Sequence, residues 1–219
     1  MKTSRKGPVG RRILLAGATG VVGQAVLRLA LADRRIDEVV ALTRRPLAKA
    51  QGLRNVVADP AAVAEDADCW RVDAVVCTLG TTMARAGSRG AFAAVDRDLV
   101  LRVARLARAG GATAFALNSS LGADPRSPSF YLRTKGEAED GLRDIGYPGV
   151  VIVRPSLIDS ERPETRTGER IGILFARALR PVIPARYRSV GPEAIAQALL
   201  EGALTAAPGV RIIESEELA

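Results

Sequence analysis

The chain of 219 residues has no histidine, only two cysteines and few aromatic residues. Without histidine, catalytic triads with an imidazole base and metal sites built on imidazole are excluded. Cys69 and Cys77 lack the spacing of metal ligands, and we expect reduced thiols in or near the core. Aromatic residues make up 4% of the chain and hydrophobic residues 47%. The core must therefore consist mainly of Ala, Val, Leu and Ile, which suits a parallel sheet with helices on both faces.

Long apolar runs and concentrated charge are also missing. No run approaches the ~20 apolar residues that a helix needs to cross a bilayer, and the charged first twelve residues have no apolar signal segment behind them. We therefore expect a cytoplasmic protein with no membrane partner. The net charge of +8 is spread along the chain and not gathered in one basic helix with interleaved aromatic residues, so nucleic acid is not expected as a partner.

A glycine-rich turn follows the first apolar run. Residues 13–16 predict a strand, the string Gly17-Ala18-Thr19-Gly20-Val21-Val22-Gly23 follows, and apolar residues then recur at helical spacing. In such units the first glycine permits a tight turn, the second lets the backbone approach a pyrophosphate, and the third lets the helix pack on the strand. The phosphate charge faces the N-terminus of the helix. The turn therefore predicts a dinucleotide site.

The second predicted strand, residues 38–42, ends in Thr43-Arg44-Arg45-Pro46. In dinucleotide-binding folds, the residue that contacts the adenosine ribose lies roughly twenty residues past the glycines. A carboxylate there binds the 2′-hydroxyl of NAD, and an arginine binds the 2′-phosphate of NADP. Arg44 and Arg45 predict NADP(H) in preference to NAD. A third strand over residues 55–58 leads to Asp59, a candidate for the adenine amino group, and Pro60 predicts the start of a short helix over residues 61–67.

Two further predicted strands bring small and polar residues to one edge of the sheet. Residues 73–77 lead to Thr78-Leu79-Gly80-Thr81-Thr82, where a cofactor can lie close to the backbone. Residues 113–117 lead to Asn118-Ser119-Ser120, after a long helix predicted over residues 92–109 whose arginines we expect to face solvent. Open α/β sheets bind ligands at this carboxyl edge. The last two strands are predicted over residues 150–153 and 210–213.

Tyr131 and Lys135 are four residues apart on a predicted helix and share one of its faces. A free phenol, with a pKa near ~10, exchanges protons poorly at neutral pH, whereas an adjacent ammonium favours the phenolate. Ser119 or Ser120 can polarise a carbonyl that receives hydride. Together these residues predict a Ser-Tyr-Lys catalytic site.

The segments named so far occur together with Val95-Asp96-Arg97-Asp98, Arg154-Pro155 and residues 164–169. With this combination, the chain resembles the short-chain dehydrogenase/reductase superfamily. Within it, the chain is similar to the atypical branch that contains the Tat-interacting-protein-type NADPH-binding oxidoreductases. The resemblance covers most of the chain after residue 11. It implies a single-domain Rossmann-like, doubly wound parallel sheet, with bound NADP(H). It also implies that Tyr131 donates or accepts the proton and that Lys135 holds the nicotinamide ribose.

The resemblance also assigns the cofactor contacts. It implies that Thr19, Val21, Val22, Arg44 and Arg45 contact the diphosphate and 2′-phosphate end, that Leu79 and Gly80 border the cofactor, and that Ile158 and Arg166 reach it from the far side. Gly17, Gly20, Gly23 and Thr81 complete the predicted site. Many catalytic members carry an Asn on the long helix to relay protons, and this chain departs from them with Asp96-Arg97-Asp98.

The sequence therefore predicts an NADP(H)-dependent oxidoreductase that acts on a small carbonyl or alcohol. The expected organisation is a mobile leader over residues 1–10 and one domain over residues 11–219, with a charged, Pro- and Gly-rich flap and substrate region at about residues 154–190. The main alternative is an NADPH-binding regulator with little turnover that presents a surface to a protein partner. A third hypothesis is an isomerase or dehydratase, although the chain lacks the extra substrate domain that is usual for such enzymes in this superfamily. A monomer and a homodimer both remain open.

Overall fold

Seven parallel strands form one sheet in the computed structural model, which describes residues 10–159 and 184–218. The strand order is β3-β2-β1-β4-β5-β6-β7. The strands are β1 Arg11–Ala16, β2 Ile36–Thr43, β3 Leu53–Val57, β4 Ala74–Cys77, β5 Ala114–Asn118, β6 Gly149–Arg154 and β7 Gly209–Glu214.

Helices cover both faces of this sheet. They are α1 Val21–Ala32, α2 Met83–Ala86, α3 Arg89–Ala93, α4 Val100–Ala109, α5 Phe130–Asp144 and α6 Pro192–Thr205 within the described ranges. A π-helical turn, Ala94–Leu99, joins α3 to α4. The architecture confirms the predicted single-domain Rossmann-like, doubly wound sheet.

Alternate residues of each strand belong to two separate cores, because successive side chains point to opposite faces of a sheet. Ile13 and Leu15 pack in the core that includes α1 and α6. Leu14 and Ala16 pack in the other, with residues of α4 and α5. Burial on both faces explains why the central strands are unbroken apolar runs with no polar alternation.

The strand order reverses between β1 and β4, which are neighbours in the sheet although two strands separate them in the chain. Ala16 pairs with Cys77 at their carboxyl ends. The loops that follow these two strands therefore diverge from one point, and such a switch point is where open α/β sheets hold their ligands.

The predicted helix over residues 61–67 is wrong, because this segment forms turns. Its carbonyl oxygens bond to side chains from elsewhere: Trp70 Nε1 donates to Ala64 O at 2.8 Å and Arg102 Nη2 to Val63 O at 2.9 Å. These contacts hold the segment in turns, in which Ala67 N donates to Ala64 O at 3.2 Å.

Residues 1–9, 160–183 and 219 lie outside the described part of the chain. They include the predicted leader except Gly10, most of the predicted flap region, and Arg166. Among the helices that are described, none combines the length and the apolar character that crossing a membrane requires.

Candidate cofactor and active site

Two glycines of the glycine-rich turn are required by the fold itself. Gly17 has a φ of +93°, and a Cβ there would lie 2.6 Å from the carbonyl carbon of Thr78. A Cβ at Gly23 would lie 2.0 Å from Gly17 O. The first glycine therefore allows the loop after β4 to approach, and the third allows α1 to pack against the turn.

Gly20 has no such internal reason to be glycine. Its φ is −76°, and a Cβ would meet only Gly17 O, at an ordinary 3.5 Å. Gly20 is the N-cap of α1, where no side chain caps the helix and the first turn holds no acidic residue. Thr19 and Val21 are exposed, and the side chain of Val22 is buried, so Val22 can offer a ligand only its backbone. An open, uncapped helix N-terminus fits a pyrophosphate.

The end of β2 presents two cations. Arg44 and Arg45 are exposed, and their guanidinium groups have no partner within the ranges that the structure describes. Two hydrogen bonds fix the backbone of their loop. Asn55 Nδ2 donates to Thr43 Oγ1 at 2.8 Å, and Thr43 Oγ1 donates to Arg45 O at 2.8 Å. This arrangement can hold an anion at the strand tip.

Asp59 is exposed after β3, and its Oδ1 accepts a hydrogen bond from the backbone of Ala61 at 3.0 Å. Its other carboxylate oxygen has no partner among the described residues and can accept a hydrogen bond from an amino group.

The loop after β4 connects the glycine turn to the helix that carries Tyr131 and Lys135. Thr78 Oγ1 lies 3.1 Å from Gly17 O. Two residues later, a Cβ at Gly80 would lie 3.6 Å from Lys135 Nζ. Leu79 between them is half-buried. The loop thus touches the predicted pyrophosphate site at one end and the predicted catalytic lysine at the other.

Lys135 is paired with Asp96. Its Nζ lies 2.7 Å from Asp96 Oδ1, and the exposed fractions of the two side chains are 8% and 1%. Asp96 Oδ2 accepts a hydrogen bond from Thr81 N at 2.8 Å. Burial raises the pKa of the neighbouring Cys77 to about 11. Cys77 is therefore a thiol at neutral pH, and both it and Cys69 are buried and free, as expected.

Tyr131 lies one helical turn before Lys135 on α5. Its ring packs against Phe92 with a centroid separation of 5.6 Å, and 37% of the residue is exposed. Phe92 thus supports the ring, and the exposed part can meet a substrate.

The two serines after β5 have different surroundings. Ser119 is buried, and its Oγ donates to Glu139 Oε1 at 2.5 Å. Glu139 also accepts from Arg154 Nε at 3.0 Å and Nη2 at 2.6 Å. Ser120 is half-buried, and its hydroxyl has no partner among the described residues. Ser120 is therefore the serine whose hydroxyl is available to a substrate.

Ile158 lies on the segment that follows β6. It is 37% exposed and pairs with Val190 in a parallel bridge. Arg166 was expected to contact the cofactor together with Ile158, and it lies outside the described residues.

Asp96 and Glu139 were not identified from the sequence as site residues, although spacing gave a signal for each. Asp96 lies four residues from both Phe92 and Val100, which are buried, so a helical face runs through it. Glu139 follows Lys135 by four residues on the face of Tyr131.

Comparison with known proteins gives a consistent assignment. A family model described as NAD(P)H-binding matches residues 17–175. The protein fmp52, mitochondrial, of Emericella nidulans is 34% identical over 179 residues, which are 78% of this chain and 76% of the relative. Protein HTATIP2 of Rattus norvegicus is 35% identical over 174 residues, or 77% of this chain and 72% of the relative.

Solved structures share the fold at low sequence identity. The structure of MoeE5 in complex with UDP-glucose and NAD superposes with a TM-score of 0.71 and 19% sequence identity. The match covers 94% of this chain and 79% of the MoeE5 chain. A short-chain dehydrogenase/reductase superfamily protein from Agrobacterium tumefaciens with bound NAD matches 93% and 77%, with a TM-score of 0.65 and 19% identity. The chain thus belongs to the NAD(P)H-binding family and has the fold of the short-chain dehydrogenase/reductase superfamily.

Proposed function

We propose that this protein is an NADP(H)-dependent oxidoreductase that reduces a small carbonyl compound or oxidises the matching alcohol. One observation carries the proposal. The loop after β4 contacts the glycine turn through Thr78 and approaches the ammonium of Lys135 at Gly80. A dinucleotide that lies along this loop extends from the N-terminus of α1 toward Lys135 and Tyr131.

The residues of this chain then have distinct roles. The nicotinamide supplies or accepts hydride when the cofactor is bound. Ser120 donates a hydrogen bond to the carbonyl oxygen, and Tyr131 gives its proton to that oxygen as the carbonyl carbon gains hydride, so that the product is an alcohol. Lys135 binds the ribose hydroxyls and favours the phenolate that Tyr131 becomes. Tyr131 is partly exposed, so solvent can return the proton.

Arg44 and Arg45 support NADP(H) in preference to NAD. Among the described residues neither guanidinium has a partner, and the tip of β2 itself, residues 43–46, contains no carboxylate. Charge-assisted hydrogen bonds to a 2′-phosphate are the interaction that such guanidinium groups form best.

A second function is supported by the Lys135–Asp96 pair. A carboxylate 2.7 Å away balances the ammonium charge, and a balanced ammonium stabilises a nearby phenolate less than an unpaired one. This feature favours an NADPH-binding regulator with little turnover and a protein partner. A cytoplasmic location stays a prediction for either function.

The two functions are separated by following NADPH absorbance while aldehydes, ketones and quinones are added to the pure protein. For an enzyme, we expect Tyr131→Phe to lower turnover of the best substrate by ~100-fold or more with little change in NADPH affinity. Tyr147→Phe is the matched control. It removes a hydroxyl that donates to Ala104 O in the core, so it should lower stability and leave turnover of the folded protein unchanged.

Two results would contradict parts of this proposal. Equal turnover of wild type and Tyr131→Phe excludes Tyr131 as the proton donor but leaves an enzyme with another proton source. Tight NADPH binding without reduction of any compound in the panel supports the regulator.

A further inference from the structure

We infer that Asp96 is a positioning residue that fixes the ammonium of Lys135 for the cofactor, so that the contribution of Lys135 to NADPH affinity depends on Asp96. The inference rests on the proposed function, in which Lys135 binds the ribose hydroxyls. It adds a residue to the site at a place where this chain departs from the usual Asn.

Asp96 occupies a position that would otherwise be apolar. It lies between Phe92 and Val100 on the buried face of the long helix. A buried carboxylate is unfavourable unless it is paired and hydrogen-bonded. Asp96 meets this condition through Lys135 Nζ at 2.7 Å and the Thr81 backbone at 2.8 Å. The carboxylate therefore joins α5 to the loop after β4.

The π-helical turn is part of this arrangement. Asp96 lies inside that turn, Ala94–Leu99. The wider turn rotates the residues after it relative to a continuous α-helix, and such turns occur often at functional sites. Here it keeps Phe92, Asp96 and Val100 on the side that faces α5 and the sheet.

The pair confines a side chain that is otherwise flexible. A lysine ammonium sits on a four-carbon stem with several rotatable bonds. A Cβ at Gly80 would lie 3.3 Å from Asp96 Oδ1 and 3.6 Å from Lys135 Nζ, so the loop backbone closes one side of the pair. The ammonium is thus held against the loop along which the cofactor lies.

The ammonium keeps donors for a ligand. Asp96 Oδ1 lies 2.7 Å from Lys135 Nζ and occupies one side of the ammonium. An ammonium has three N–H donors. With one of them directed at Asp96, two remain available to two ribose hydroxyls.

The test is a double-mutant cycle on NADPH affinity, measured by calorimetry with the full chain. Asp96→Asn removes the charge but keeps an oxygen that can accept from Thr81, and Lys135→Met removes the ammonium but keeps the packed stem. We expect Asp96→Asn to weaken NADPH on the order of tenfold in the wild-type background. In the Lys135→Met background it should change affinity less than about twofold, since the group that it positions is gone.

Asp98→Asn is the matched control on the same helix. Asp98 is exposed and pairs with Arg97, so its removal should leave NADPH affinity unchanged in both backgrounds. The unfolding free energy of each variant supplies a second readout. Lys135→Met leaves a buried carboxylate without its partner, so adding Asp96→Asn should recover stability.

The possible failures are distinguishable. Equal weakening by Asp96→Asn in both backgrounds means that Asp96 acts through the fold and overturns the inference. Unchanged or tighter NADPH binding in Asp96→Asn, with Lys135→Met weakened, overturns the inference alone. Unchanged NADPH affinity and turnover in Lys135→Met overturns the proposed function of Lys135, and the inference falls with it. A double variant no more stable than Lys135→Met contradicts the pairing.

Discussion

Replacing Glu139 with glutamine tests the buried network that fixes α5. Glu139 is 1% exposed on its side chain and forms a two-point contact with Arg154. The same carboxylate accepts from Ser119. Glutamine keeps the shape and one acceptor oxygen but removes the charge. In either orientation its amide nitrogen must also face an N–H of Arg154, because the guanidinium donates to both carboxylate oxygens and cannot accept.

The expected loss follows from the geometry. Removing one partner of a buried ion pair costs about 3–5 kcal/mol. Arg154 retains a second partner, Glu214, at 3.1 Å, and its side chain is 18% exposed. Both features lower the cost, so we expect a decrease of about 2–3 kcal/mol in the free energy of unfolding. For a domain of this size, such a decrease lowers Tm by roughly 4–12 °C.

Urea unfolding followed by far-ultraviolet circular dichroism measures this loss. The midpoint should fall while the slope with urea stays constant, because the surface exposed on unfolding is the same. Asp140→Asn is the control, since Asp140 is the next residue and its side chain is 51% exposed. Its effect should stay within about 0.5 kcal/mol. A loss below about 1 kcal/mol in Glu139→Gln would refute the reasoning that the carboxylate stabilises α5.

Three further predictions concern the turn, the cofactor and pH. Gly20→Ala should keep its stability but weaken NADPH in calorimetry, whereas Gly23→Ala should be destabilised in urea because its Cβ would lie 2.0 Å from a backbone oxygen. Replacing Arg44 and Arg45 with Ala should weaken NADPH at least roughly tenfold and leave NADH nearly unchanged, and equal losses would contradict a 2′-phosphate site. Cys77, with a pKa raised from 9.0 to about 11, keeps a proton that the unfolded chain loses. Stability should therefore fall by up to about 1.4 kcal/mol per pH unit across that window, and an equal slope in Cys77→Ala would count against this cause.

The strands could be predicted because their signal is local. Residues 13–16, 73–77 and 113–117 are short apolar runs that end at glycine or polar residues, and the observed strand ends lie within two residues of them. Burial on both faces of a parallel sheet requires such runs whatever their neighbours are. The glycine turn could also be predicted from its own residues, although the close contact that requires Gly17 comes from Thr78 in the loop after β4.

The segment after Pro60 could not be predicted in the same way. Proline at a helix start and the alanines that follow favour a helix. In the structure, the carbonyl oxygens of Val63 and Ala64 accept hydrogen bonds from the side chains of Arg102 and Trp70 instead. Arg102 is distant in the sequence, so nothing in the segment itself shows that its acceptors are used elsewhere. Tertiary hydrogen bonds override a weak local preference here.

The buried carboxylates show the same limit at the site, and they explain how α5 is held. The helical position of Asp96 or Glu139 suggests burial, but a carboxylate is buried only where another element supplies a cation. That cation is Lys135 from α5 for Asp96, and Arg154 from the end of β6 for Glu139. Lys135 and Glu139 are one helical turn apart, so two ion pairs fix consecutive turns of α5. A shift of the helix would separate both pairs at once, and Tyr131, one turn before Lys135, is held in register by the same two contacts.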